Sequence, residues 1–131
     1  MNELLNYFKG DDLAADTWLK KYALEGEETP DDMHRRLAKE FAKVEKGYKE
    51  QDNSIKFLSK YGGSRESLTE DSIYNLFKDF KYVIPQGSVM ANLGNEEITS
   101  LSNCFFIGQP EDSYGGIFQK DQEMAQLMKR R

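Results

Sequence analysis

Cys104 is the only cysteine in the chain, and it is the one residue here that could carry chemistry. A lone cysteine cannot close an internal disulfide. With a single histidine, His34, it cannot build a zinc site either. Two-electron thiol chemistry needs a second sulfur. Cys104 is therefore either a small, inert, buried hydrophobe or one half of a dithiol whose partner lies on another segment. His34 sits in a charged stretch and reads as solvent-facing. The acidic pairs Asp11-Asp12, Asp31-Asp32 and Glu96-Glu97 read as helix starts and a solvated loop. The sequence shows no phosphate-cradling glycine loop, no metal-ligand spacing and no nucleophile with a histidine base at readable spacing.

The composition narrows the classes further. With 131 residues, 38% of them apolar and 31% charged, the chain has room for one modest domain or a small domain plus part of another. The net charge of −5 argues against a nucleic-acid surface, which needs clustered Lys and Arg. The basic triplet Lys129-Arg130-Arg131 is too short to reverse that. No apolar run approaches a membrane span, and the start Met1-Asn2-Glu3 is no signal peptide. A cytoplasmic address is the default expectation.

The elements that would position Cys104 begin with helices. Leu4, Leu5 and Phe8 fit a short amphipathic helix closed by Gly10, and Asp11 or Asp12 can cap a second running through Trp18 to Leu24. Thr29-Pro30-Asp31-Asp32 combines an N-cap, a first-turn proline and acids placed for the helix dipole. Met33, Leu37, Phe41, Val44 and Tyr48 then recur at steps of three and four. Ile55, Leu58 and Tyr61 suggest a shorter helix stopped by Gly62-Gly63. Ser67-Leu68-Thr69-Glu70 reads as a capping box before Ile73, Leu76, Phe77 and Phe80.

The character of the sequence changes after Phe80. Lys81 to Ile84 favours a strand, Pro85-Gln86-Gly87-Ser88 a turn, and Ser100 to Ile107 a second strand. Gly108 to Asp112 forms a loop before a last helix carrying Ile117, Met124, Leu127 and Met128. The expected class is α+β, with an all-helical domain over 1–80 followed by strands and a helix over 81–131. Strands and a helix of this kind need neighbours to cover them, so the second part reads as unfinished.

Three runs carry a family resemblance: Leu101-Ser102-Asn103-Cys104-Phe105-Phe106-Ile107, Glu111-Asp112-Ser113-Tyr114-Gly115-Gly116-Ile117 and Gln126-Leu127-Met128-Lys129-Arg130-Arg131. Together they look like the start of the catalytic barrel of ribonucleotide reductases. Lys20-Lys21-Tyr22-Ala23-Leu24 and Glu28-Thr29-Pro30-Asp31-Asp32-Met33 resemble the helical domain before it. The resemblance spans nearly the whole chain in order and spacing.

The resemblance implies a ten-stranded α/β barrel begun here and completed by another polypeptide, which reduces ribonucleotides to deoxyribonucleotides by radical chemistry. Cys104 matches the first cysteine of the reducing pair. The second reducing cysteine and the radical cysteine belong to later segments of the family. Ser102 and Asn103 match substrate-contacting positions, although the family commonly has Ser where this chain has Asn103. Gly87 and Ser88 fall where the family has a Ser/Thr-Pro segment cradling substrate phosphates. Asp112, Ser113 and Lys129 match positions at an allosteric specificity site for a nucleoside triphosphate effector, and the helix from about Ser113 resembles a dimer-forming helix.

The implied partners are the remainder of the catalytic subunit, a second copy of it, and thioredoxin or glutaredoxin. The radical source would lie elsewhere, on a metal-containing small subunit or in adenosylcobalamin, with no cofactor held by this chain. The helical module starts almost at Met1, so the ATP-binding regulatory domain that often opens the family is not expected. The competing reading is a non-catalytic helical interaction module with an inert, buried cysteine.

Overall fold

The computed structural model describes residues 2–52, 60–64 and 66–129. Among them run α1 (Asn2–Tyr7), α2 (Asp12–Lys21), α3 (Pro30–Asp52), α4 (Lys60–Ser64), α5 (Glu70–Phe77), a 3-10 turn (Lys78–Phe80), α6 (Gly87–Asn92) and α7 (Tyr114–Lys129). Ile55 and Leu58 of the expected short helix lie outside the described residues. Gly62 and Gly63 fall inside α4 rather than after it.

The caps show how local chemistry starts each helix. The Asp11 carboxylate accepts the Ala14 N–H at 2.9 Å, fixing the start of α2. At α3 the capping runs backwards, from the Asp32 side chain rather than from Thr29. Asp32 Oδ2 accepts from the N–H groups of Thr29 (2.9 Å) and Glu28 (3.1 Å) and from the Thr29 hydroxyl (3.2 Å). Desolvation works to raise the Asp32 pKa, but these bonds and Arg35 outweigh it and hold the carboxyl below its ordinary value. The box before α5 is Thr69 with Ser72, two residues later than the sequence suggests. Ser72 N–H donates to Thr69 Oγ1 and Thr69 N–H to Ser72 Oγ.

The core is built on one face of α3. Met33, Leu37 and Ala38 are fully buried and meet Leu4, Ala15, Trp18, Ile73 and Phe77. Helix α5 lies along α3, where Phe77 and Phe41 approach at 5.8 Å. Tyr74 fastens the pair, its hydroxyl donating to Asp31 Oδ1 at 2.5 Å while the Arg35 guanidinium lies 4.3 Å above its ring. The stripe expected through Tyr48 is buried only in its first half. Phe41, Val44 and Tyr48 are exposed along a groove of about 440 Å³ that Leu68, Leu76, Val83 and Val89 also line.

His34 overturns the solvent-facing expectation. It is 0% exposed, stacked edge-to-face on Phe80 at 4.6 Å, and neither ring nitrogen has a hydrogen-bond partner. It lies four residues after Pro30 and three before Leu37, which places it on the buried face despite its charged neighbours. Burial pushes its pKa below 6.5, while Asp31 and Asp79 act in the opposite direction. As pH falls below about 6.5 the unfolded chain therefore takes up the proton first, and stability is lost. His34→Leu is expected to flatten this dependence. Denaturation midpoints between pH 7 and 5 check it, and parallel curves for the two proteins would refute it. Burial likewise raises Tyr7 to about 12, with Asp79, Asp31 and Tyr74 adding to the effect.

The expected strands do not form among the described residues. Lys81 to Ile84 leaves the 3-10 turn as irregular chain, tied back by Val83 N–H to Leu76 O at 3.0 Å. The turn itself is tight, with Asp79 and Phe80 at φ values of 56° and 53°. Gly87 and Ser88, expected in a turn, instead open helix α6 (Gly87–Asn92). Ser100 to Ile107 is also irregular. A strand needs a backbone partner to make its ladder. Here side chains of α6 supply the bonds instead, while Ile98 and Phe106 stand 92% and 94% exposed.

Candidate functional site around Cys104

Cys104 is an exposed free thiol. The burial expected of this cysteine in the competing reading is therefore not found. Ser102 Oγ donates to the Cys104 carbonyl at 3.2 Å, folding the backbone tightly just before the thiol.

The structure brings together two candidate segments that lie 15 residues apart. Ser88 N–H donates to Asn103 Oδ1 at 3.0 Å, and the Ser88 hydroxyl donates to the same oxygen. The Ser88 hydroxyl also lies 3.4 Å from the Ser102 carbonyl. Asn103 Nδ2 donates to Gln86 Oε1 at 3.2 Å. Gly87, Ser88, Ser102, Asn103 and Cys104 thus form one neighbourhood at the first turn of α6. Asn92 extends the attachment, donating to Ser100 O at 3.0 Å.

Helix α6 is itself held by Arg36. This guanidinium pairs with Glu27 at 2.6 and 3.2 Å, and the two side chains are only 12% and 9% exposed. It also donates to the carbonyls of Met90 (2.9 Å), Leu93 and Tyr22 (3.4 Å). Glu27 accepts the Leu24 N–H at 2.9 Å. Gly94, at φ 86°, passes so close that a Cβ would meet Arg36 Cγ at 3.0 Å. Sequence reasoning missed Arg36, Glu27 and Gln86. The available signal was a cation flanking the buried face of α3, next to Leu37.

Asp112 and Ser113 sit at the start of α7. Ser113 Oγ accepts the Gly116 N–H at 3.0 Å and Ser113 O accepts the Ile117 N–H at 3.0 Å, so Ser113 caps the helix. Asp112 is exposed, as is Lys129 at the other end of α7. The helix rise puts Lys129 about 24 Å from Ser113, so one chain does not bring them together. Gly116 packs hard against the entry turn. A Cβ there would stand 2.7 Å from Glu111 O and 2.9 Å from Glu111 N. Among the described residues no group of three or more His, Cys, Asp or Glu is placed to hold a metal ion.

Residues 8–97 match the family described as "Ribonucleotide reductase, all-alpha domain". That stretch holds α2 to α6, including the α3–α5 core and the Arg36 staple. The chain belongs to the ribonucleotide reductase family. Among curated proteins and among solved structures nothing matches it. The helical part expected from the sequence is thus the reductase all-alpha domain. The match reaches past Phe80 to include Gly87 and Ser88, whereas Ser102, Asn103 and Cys104 lie beyond it. No helix among the described residues is long and apolar enough to cross a membrane.

Proposed function

We propose that the chain works as the N-terminal part of the catalytic subunit of a ribonucleotide reductase, with Cys104 supplying one thiol of the reducing pair. The observation that carries this reading is the joining of Ser102-Asn103-Cys104 to the end of the reductase all-alpha domain through Ser88. A second cysteine, on the remainder of the catalytic subunit, would face Cys104. The two thiols give up two electrons and two protons and become a disulfide. At the ribose, the 2′ carbon–oxygen bond breaks, the hydroxyl departs as water, and a carbon–hydrogen bond replaces it. Thioredoxin or glutaredoxin would then reopen the disulfide by thiol exchange.

The exposed thiol and the exposed Phe105 and Phe106 beside it suit a segment completed by neighbouring barrel strands. The radical source, on a metal-containing small subunit or in adenosylcobalamin, would lie outside this chain. Asp112 and Ser113 would contact a nucleoside triphosphate effector, and Lys129 would reach it from a second copy. An antiparallel pair of α7 helices brings each Lys129 to the other copy's helix start. Ile117, Phe118, Met124 and Met128, exposed on α7, supply apolar surface for such a pair.

Mixing the chain with the polypeptide carrying the remaining reductase segments tests this reading. A stable complex that reduces ribonucleotides with a dithiol reductant is the expected result. Failure to associate, or a complex without reduction, would overturn it. In that complex Asp112→Ala is expected to weaken effector affinity roughly tenfold, the loss of one charge-assisted hydrogen bond. It should alter which base is reduced while basal turnover persists. Calorimetry with the effector triphosphate is the measurement, and unchanged affinity would remove Asp112 from the site. Gly116→Ala, which must push the Glu111 backbone aside, is expected to perturb the same affinity without touching the effector.

A further inference from the structure

Asn103 is engaged within the chain at the position where the resemblance implies a substrate contact. Its amide oxygen accepts two hydrogen bonds, from the N–H and the hydroxyl of Ser88, which fills both lone pairs. Its amide nitrogen gives one hydrogen to Gln86. The oxygen has no lone pair left for a substrate hydroxyl, and these bonds leave only the second amide hydrogen for a contact outside the chain. A serine here is too short to make all these bonds from the same backbone position. Asn103 spans the gap to α6, and Ser88, its partner there, is buried.

We propose that Asn103 is a positioning residue, clamping the Cys104 segment to α6 through Gln86 and Ser88, while Arg36 fixes α6 on α3. Two sets of bonds are in series. At its C-terminal end α6 is gripped through Met90 O and Leu93 O by a guanidinium that is itself locked to Glu27. At its N-terminal end Gln86 and Ser88 grip Asn103, one residue from the thiol. The all-alpha domain thereby sets where Cys104 stands. Only a forked guanidinium reaches Glu27, Met90 O and Leu93 O together, so lysine is not an equivalent residue at this position.

The physical clamp stands on the structure, whereas its catalytic purpose rests on reading Cys104 as a reducing thiol. Hydrogen exchange of single amides in the full chain, followed by NMR, tests the clamp without any turnover. Asn103→Leu frees the Ser88 N–H, whose exchange is expected to quicken at least roughly fivefold, with α5 amides unchanged. Arg36→Lys is expected to quicken Ser88 and the last turn of α6 while α5 again stays unchanged. A nitroxide label on Cys104, the chain's only thiol, should gain mobility in both variants. In the Arg36→Lys background, Asn103→Leu should add less than it does alone, because the two act in series.

Unchanged Ser88 exchange in Asn103→Leu would overturn the clamp. Equal acceleration in α5 and α6 for Arg36→Lys would reduce Arg36 to a general stabiliser and overturn the link. In the assembled enzyme the clamp predicts a fall in kcat with KM nearly unchanged for Asn103→Leu. A raised KM with unaltered Ser88 exchange would instead make Asn103 a substrate contact. If Cys104→Ser left turnover intact, the reducing role would fall while the exchange results stood.

Discussion

Cys104→Ser is expected to stop multiple turnover of the assembled reductase with thioredoxin-type reductants, with assembly itself unaffected. The size of the effect follows from the chemistry. A serine hydroxyl cannot form a disulfide, so the remaining thiol has no partner with which to give up two electrons. The loss is one of kind rather than degree, since nothing else in this chain can replace the sulfur. The exposed position of Cys104 means that the substitution removes no core packing, and the helical domain should melt as before. Deoxyribonucleotide formation over many turnovers, measured beside thermal melting of the chain, separates the two effects. Undiminished multiple turnover would exclude Cys104 from the reducing pair.

Arg36→Ala is expected to cost about 3–5 kcal/mol of stability, the range for removing one member of a buried ion pair. The substitution leaves the Glu27 carboxylate nearly buried with only the Leu24 N–H as a compensating donor, and it strips a donor from Met90 O, Leu93 O and Tyr22 O. Much of the cost is the uncompensated charge. Glu27→Ala combined with Arg36→Ala should therefore cost much less than the sum of the two single changes. Surface pairs such as Lys20–Asp16, well exposed on both sides, provide the contrast, and Asp16→Ala is expected to change stability by less than about 1 kcal/mol. Urea denaturation of the four variants beside the unsubstituted chain reads these differences. Additive losses for Glu27 and Arg36 would show that the two side chains act independently.

The sequence by itself determined the helices whose signals are local. Asp11 caps α2, Pro30 opens α3, and Met33 with Leu37 marks the face that becomes the core, because caps and a 3.6-residue period depend on a few neighbouring residues. The runs from Lys20 to Met33 likewise carried the helical part of the family resemblance, and the match over residues 8–97 bears that part out. Tertiary structure decided the rest. Charge around His34 pointed outward, yet its register on α3 placed the ring against Phe80, since side-chain direction follows the helix phase rather than local polarity. The apolar runs after Phe80 fit strands by composition, but a strand exists only where another backbone pairs with it. Among the described residues these runs instead lie beside α6 and stay irregular. Nothing in local sequence could join Asn103 to Ser88, or Arg36 to Met90 and Leu93, because those bonds span 15 to 57 residues. The Arg36 bonds exist because α3 presents one guanidinium where the loop before it and the end of α6 converge, and the Asn103 bonds because the start of α6 then lies beside that segment.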